Sequence, residues 1–239
     1  MIYKTKGIAI RSIKYKNSGI IAHIFTERFG MQHYLVQGLN RKSSKISDNL
    51  FRGLQLLELE VYHRGSDKLE RIKEVSLAHL QHQNASDITK STILIFLNEI
   101  LSKVLKEQDE DLSLFEFIYS SILWLENKEN GFQNFHLLFL VKLSKLLGFG
   151  PTASENPVYF DMRLGIFTSY LPAHPDVMDI SLTPGFNALI TGNYQSLEKL
   201  NIPKLTRKLL LYKLVEYYRL HNENFGEIKS LDILSHVFE

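Results

Sequence analysis

Two short basic stretches, Lys14-Tyr15-Lys16 and Arg41-Lys42-x-x-Lys45, hold the residue types best placed to do chemistry in this chain. Ammonium and guanidinium groups at such spacing neutralise successive phosphates, and a ring set between two of them offers a face to a base. Arg11 and Arg64 add cations in the same region. Arg11, Lys14, Tyr15, Lys16, Arg41, Lys42, Lys45 and Arg64 therefore form the expected nucleic-acid-binding set. Within it, Tyr15 is the expected stacking ring, and Arg41, Lys42 and Lys45 are a compact phosphate contact among serines. Phe25, Phe29, His33, Tyr34 and Tyr62 are further ring candidates, although alternation along a strand sends about half of its rings into the core. The same cations would also suit a solvated surface with no ligand.

Charge is distributed unevenly. Residues 1–80 carry fourteen Lys or Arg against seven Asp or Glu, whereas residues 81–239 carry fourteen against nineteen. A formal net charge of +2 for the whole chain thus conceals a basic N-terminal module joined to an acidic remainder. A polyanion partner at one end of the molecule would account for this.

Other chemistry is poorly represented. No glycine-rich phosphate loop, nucleophile elbow or metalloprotease helix motif occurs, and the chain reads as a non-enzyme without a cofactor. With no Cys there are no disulfides, thiolate zinc sites or cysteine nucleophiles, which suits a reducing cytoplasm. Asp109-Glu110-Asp111 reads as a helix cap rather than a metal set, and the close pair His79 and His82 lacks neighbouring ligands. Apolar runs such as Ile93–Leu97 fall far short of the roughly 20 residues of a membrane span, so a soluble, cytoplasmic protein is expected. In the acidic half, Lys142 and Lys145 lie near Phe139, Leu143 and Leu146, and a second basic patch holds Lys204, Arg207 and Lys208. Either could receive an acidic peptide with an apolar end, and either could be a solvated helix face.

The elements that must position these residues fall into two groups. Five strand candidates, Gly7–Ile13, Gly19–Thr26, Met31–Gln37, Leu56–Tyr62 and Lys68–Leu77, fill the first eighty residues. Lys14 to Ser18 and His63 to Lys68 read as loops, and a longer insertion from Gly38 to Gln55 offers a short helix or turn at Ile46–Phe51. An SH3-like barrel would match the strand count, but the insertion favours a five-stranded OB barrel, whose strand 2–3 face and neighbouring loops bind oligonucleotides. From residue 86 the period changes to 3.6. Helices are expected from Ser86 or Asp87 to about residue 107, over Leu112–Leu125 and over about Phe132–Leu147, with Trp124 in the core. Others follow Pro184, run from Pro203 to about Asn222, and close the chain at Lys229–Phe238. Expected stripes are Leu94, Leu97, Leu101 and Val104 in the first, and Leu205, Leu209 and Leu214 in the Pro203 helix. Residues 150–181 hold four of the six prolines and suit a loop with a small hairpin, Val158–Phe160 against Ile166–Ser169. The expected class is α+β: an OB domain over 1–80, then an all-α domain over 81–239 with a zinc-free hairpin insert.

Landmarks along the chain resemble the bacterial RecO recombination-repair family. They are Gly7-Ile8-Ala9-Ile10, Tyr15, Ser18, Ile21, Phe25-Thr26, Gly30, and Gly38 with Arg41-Lys42 and Lys45. Leu54-Gln55, Leu57 to Tyr62, Ile72-Lys73-Glu74, Asn98 to Leu101, Leu146 to Pro151 and Ile228 to Leu231 continue the match in order. The resemblance implies an OB domain followed by a helical domain, and binding to single- and double-stranded DNA. It also implies annealing of strands coated with single-strand-binding protein (SSB), through the acidic SSB C-terminal tail, and work with RecR in loading RecA. The tail would take Lys142, Lys145, Phe139 and Leu146, with Lys204 to Lys208 as the rival site. Many family members carry a four-cysteine zinc module where residues 150–181 stand, so a metal-free counterpart is expected here. The family's usual Lys-Gly-Ala-Arg reads Gln37-Gly38-Leu39-Asn40, leaving Arg41, Lys42 and Lys45 to supply that charge. From a different class, an OB-helical adaptor that binds only proteins would share the same architecture.

Overall fold

The structure is a computed structural model that describes residues 1–15, 19–37, 48–63, 65, 69–79, 87–106 and 108–237. These fall into two compact units, Met1–Leu123 and Trp124–Glu239.

In the first unit, strands β1 (Ile2–Tyr15), β2 (Gly19–Thr26), β3 (Gly30–Gln37), β4 (Leu56–Tyr62) and β5 (Glu70–Leu77) close a barrel in the order β1-β2-β3-β5-β4. β1 is longer than its periodicity suggests because it serves two partners. Its first half pairs with β4, from Ile2↔Tyr62 to Ile8↔Leu56, and its second with β2, from Gly7↔Thr26 to Tyr15↔Gly19. Ile10 is skipped at a bulge between Ala9 and Arg11, which bends the strand from one partner towards the other. Closure comes from a short parallel pairing of β3 with β5 at Tyr34↔Glu70 and Leu35↔Arg71. That order is the OB Greek key, which decides against the SH3-like alternative.

Alternation places Ala9, Ile20, Ala22, Ile24, Tyr34, Val36, Leu57, Leu59 and Val61 inside, and Phe51 joins them from a 3₁₀ turn at Asp48–Phe51. Outside the barrel, α1 (Ile88–Val104) packs on β1, while Phe25 meets Phe115 of α2 (Leu112–Asn127) at 5.9 Å. Gly30 permits this packing. Its φ is +64°, and a Cβ there would lie 2.4 Å from Gln108 O. The Asp87 side chain caps α1 by accepting from Lys90 N at 3.0 Å, and Asp111 accepts from Leu114 N at 2.9 Å at the start of α2. The buried stripe of α1 is Ile93, Phe96, Leu97, Ile100 and Leu101. It is centred one position away from the expected stripe, leaving Leu94 and Val104 half-buried.

The second unit is built on α3 (Phe135–Leu146), whose residues Phe135 to Val141 are all buried. A helix so apolar on every side must be surrounded. α5 (Lys204–His221) packs beside it, and Tyr218 Oη donates to Leu140 O at 2.8 Å. The face that α5 buries contains Leu210, Leu211, Leu214, Val215, Tyr217 and Tyr218. Leu205 and Leu209, expected in that stripe, are exposed because the tyrosines rotate the buried face away from them. Trp124 is half-buried, stacked on Phe135 and Tyr194 at 5.5 and 5.1 Å, rather than enclosed in the core. α4 (Thr183–Thr191) and α6 (Ser230–Val237) complete six helices among the described residues.

The insert forms a three-stranded sheet, β7-β6-β8, from β6 (Tyr159–Asp161), β7 (Ile166–Thr168) and β8 (Val177–Met178). The hairpin lies one residue from its expected place, and two-residue β8 is too short for periodicity to reveal. Asp161 ties the insert together. Its Oδ1 accepts from Arg163 N and Leu164 N, and its Oδ2 lies 3.2 Å from His174 Nε2. Burial opposes ionisation of this carboxyl, yet the donors from Leu164, His174 and Arg163 outweigh it and hold the pKa below the ordinary Asp value. Phe160 packs edge-on against Phe167, Phe186 and Tyr217. Among the described residues, no three His, Asp or Glu side chains converge as a metal set.

Candidate nucleic-acid interface

Cross-strand partners share a face, so the register lays out the outer surface of β1, β2 and β3 row by row. One row is Arg11↔His23↔His33, the next is Ile13↔Ile21↔Leu35, and the last is Tyr15↔Gly19↔Gln37. The helices cover the other half of this outer face, over Phe25, and leave these rows open. Arg11, Ile13 and His33 are exposed, while Ile21, His23 and Leu35 are half-buried. The result is a shallow apolar strip flanked by a guanidinium, two imidazoles and a tyrosine ring. Such a surface suits a backbone phosphate beside an unstacked base.

Arg11 and Tyr15 therefore lie on one face. Lys14 and Tyr15, expected in a loop, are the last two residues of β1. Lys14 pairs with core-facing Ile20 and so projects from the opposite face, exposed because the strand runs on past the barrel. Lys16, Arg41, Lys42, Lys45 and Arg64 lie outside the described residues. The chain leaves β1 at Tyr15 and β3 at Gln37, both opposite Gly19 at one end of the sheet. Among the other rings, Tyr34 is wholly buried, Phe25 faces Phe115, and Phe29 stacks on His63 at 3.9 Å. Tyr62 is exposed, on β4.

His23 did not stand out in the sequence. Its ring meets His33 edge-on at 4.2 Å. Burial, then the neighbouring His33, then Arg11 push its pKa down to about 4, and burial followed by Arg11 lowers His33. Both imidazoles are thus held neutral at physiological pH.

In the second unit, Phe139 is fully buried inside α3, and Lys142 Nζ donates to Ile190 O at 3.0 Å. Burial, then nearby Lys145, lower the Lys142 pKa, whereas Lys145 and Leu146 are exposed. An apolar slot beside cations exists instead at the start of α5. A cavity of about 350 Å³ there is lined by His136, Lys204, Arg207, Lys208, Leu211 and Ser235. His136 is buried at its floor, and burial followed by the Arg207 charge push its pKa down to about 3, so the ring is neutral. No helix of the described residues is long and apolar enough to cross a membrane.

Comparison with known proteins agrees with this architecture. The family model described as Recombination protein O N terminal matches residues 1–81, and the one described as Recombination protein O C terminal matches residues 85–232. The DNA repair protein RecO of Azobacteroides pseudotrichonymphae genomovar. CFP2 is 36% identical over 241 residues, covering 100% of both chains. Its namesakes from Flavobacterium psychrophilum and Phocaeicola vulgatus are 35% and 32% identical, again with 100% of each chain covered. With both family models matched in order along one chain, and with full-length relatives of the same name, this chain belongs to the RecO family of DNA repair proteins.

Proposed function

We propose that the chain is a non-enzymatic repair mediator that binds single- and double-stranded DNA and anneals complementary strands coated with SSB. With RecR it then promotes loading of RecA. The observation that carries the reading is the uncovered outer face of β1–β2–β3, where Arg11 and Tyr15 flank an apolar strip at the end of the sheet where β1 and β3 both stop. Cations that neutralise two backbones at once lower the repulsion opposing their pairing. Arg41, Lys42, Lys45, Lys16 and Arg64 supply further phosphate contacts in this reading. An OB domain over 1–80 carries the DNA, a helical domain over 81–239 carries the partners, and the protein works in the cytoplasm, at the nucleoid when on DNA.

The SSB tail, an acidic peptide ending in a ring, requires cations beside an apolar slot. The cavity at the start of α5 meets that requirement better than α3, where Phe139 is enclosed and Lys142 already donates to a carbonyl. One observation favours the adaptor reading. On β1, β4 and β5, Glu60 takes ion pairs from Lys4 at 3.3 Å and Lys73 at 2.7 Å, a mixed-charge surface suited to protein rather than DNA.

Pairing of SSB-coated complementary strands separates the two readings. A mediator accelerates it at least tenfold over the spontaneous rate and shifts naked oligonucleotides in a gel. No acceleration, with retained binding to SSB, would establish the adaptor instead.

A further inference from the structure

The row Arg11↔His23↔His33 contains a guanidinium and two imidazoles on three adjacent strands, with the two rings in edge contact at 4.2 Å. No carboxylate of the described residues pairs with any of the three. On the neighbouring strand β5, Arg71 pairs beside Leu35, adding a further positive charge, while Glu70 lies buried beside core-facing Tyr34. The acidic segment Asp109 to Asp111 follows Gln108, whose carbonyl accepts from Met31 N at 2.8 Å, one row before His33 on β3, yet none of its carboxylates pairs with the row. A buried, satisfied histidine pair would be inert. Here His33 and Arg11 are exposed, and His23 is only half-buried, so an incoming group can reach all three.

We propose that this row is a proton-coupled phosphodiester site, in which a bound DNA phosphate draws a proton onto the His23–His33 pair. The step balances simply: an imidazole nitrogen takes one proton from solvent, and the resulting cation lies beside the phosphate oxygens. In the free protein a charged ring would face Arg11 and its partner ring without a counter-ion, in a half-buried position, and both groups are accordingly held neutral. A phosphate removes that penalty by supplying the missing negative charge. By linkage, a site that takes up protons on binding must bind more tightly as pH falls, up to about tenfold per unit for one proton. The inference rests on the DNA-binding reading of this face and adds to it a regulation by pH.

The test is calorimetric titration of the full chain with an oligothymidylate at pH 7.5, 6.5 and 5.5, repeated in buffers of different ionisation enthalpy. Circular dichroism at each pH checks the fold. We expect affinity to rise about tenfold across this range, with proton uptake of up to about one per chain. The salt slope should steepen by about 0.7 at the acid end, as one more phosphate contact forms. The His23→Gln, His33→Gln double variant, and the single His33→Gln variant should the double fail to fold, should bind with a flat pH profile and little or no uptake. Binding without uptake in the parent chain, or uptake unchanged in a folded variant, overturns the site. No binding to the oligonucleotide at any pH overturns the DNA-binding reading itself, and the site with it.

Discussion

Gly30 carries the sharpest constraint placed on any one residue of the first unit. It has φ +64°, and the backbone of Gln108 and Asp109 stands 2.4–2.7 Å from where a Cβ would be. Gly148 has a similar backbone, φ +89°, but no described atom within 4 Å of its Cβ position. It ends α3 in a Schellman arrangement, with Phe149 N donating to Ser144 O at 3.0 Å and Gly148 N to Lys145 O at 3.2 Å. Ala at Gly148 therefore meets only the left-handed backbone cost, about 1 kcal/mol. Ala at Gly30 adds overpacking against rigid backbone, for about 2–4 kcal/mol in all. Urea midpoints of the two variants should differ accordingly; equal losses would mean that the α1–α2 connection yields to the methyl.

α5 buries one face and leaves a different, cationic one beside a cavity. Tyr217 and Tyr218, with the leucines at 210, 211 and 214, face the core, which turns Lys204, Arg207 and Lys208 towards a cavity that also receives Leu211. α3 has no comparable spare face, since it is buried through most of its length. Arg207→Glu is therefore expected to weaken binding of an acidic, Phe-terminated peptide about tenfold or more, the scale of one charge-assisted contact. Lys142→Glu with Lys145→Glu should change it less than about threefold. Fluorescence anisotropy of a labelled peptide measures both, and the opposite ranking would return the tail to α3.

Across the whole molecule, the basic excess of residues 1–80 and the acidic excess of 81–239 fit the proposed division between a polyanion and protein partners. If Arg11, Lys16, Arg41, Lys42 and Lys45 each meet one phosphate, log K against log salt for single-stranded DNA should fall with a slope of about −3 to −4. Arg41→Glu with Lys42→Glu should weaken binding to every sequence alike and reduce the magnitude of that slope by about 1.4. A folded double variant with an unchanged slope would remove both residues from the interface.

Sequence alone determined most element types and their order. Period-2 runs marked the β2 and β4 boundaries, Asp87 marked the start of α1, and Gly148 the end of α3, because alternation, capping and left-handed turns are properties of a few adjacent residues. Arg11 and Tyr15 were binding candidates by their types alone, and the ordered landmarks from Gly7 to Leu231 pointed to the family. The tertiary structure decided what depends on pairing across the chain. Barrel closure through Tyr34↔Glu70 chose OB over SH3-like, and the continuation of β1 to Ile2 required β4 as partner. His23 carried no signal as a lone histidine in a strand; only the register sets it between Arg11 and His33. Likewise only packing revealed that Leu205 and Leu209 of α5 face outward and that Arg207 lines a cavity. Local patterns record which face of an element is apolar, whereas register and helix rotation follow from many distant contacts satisfied together.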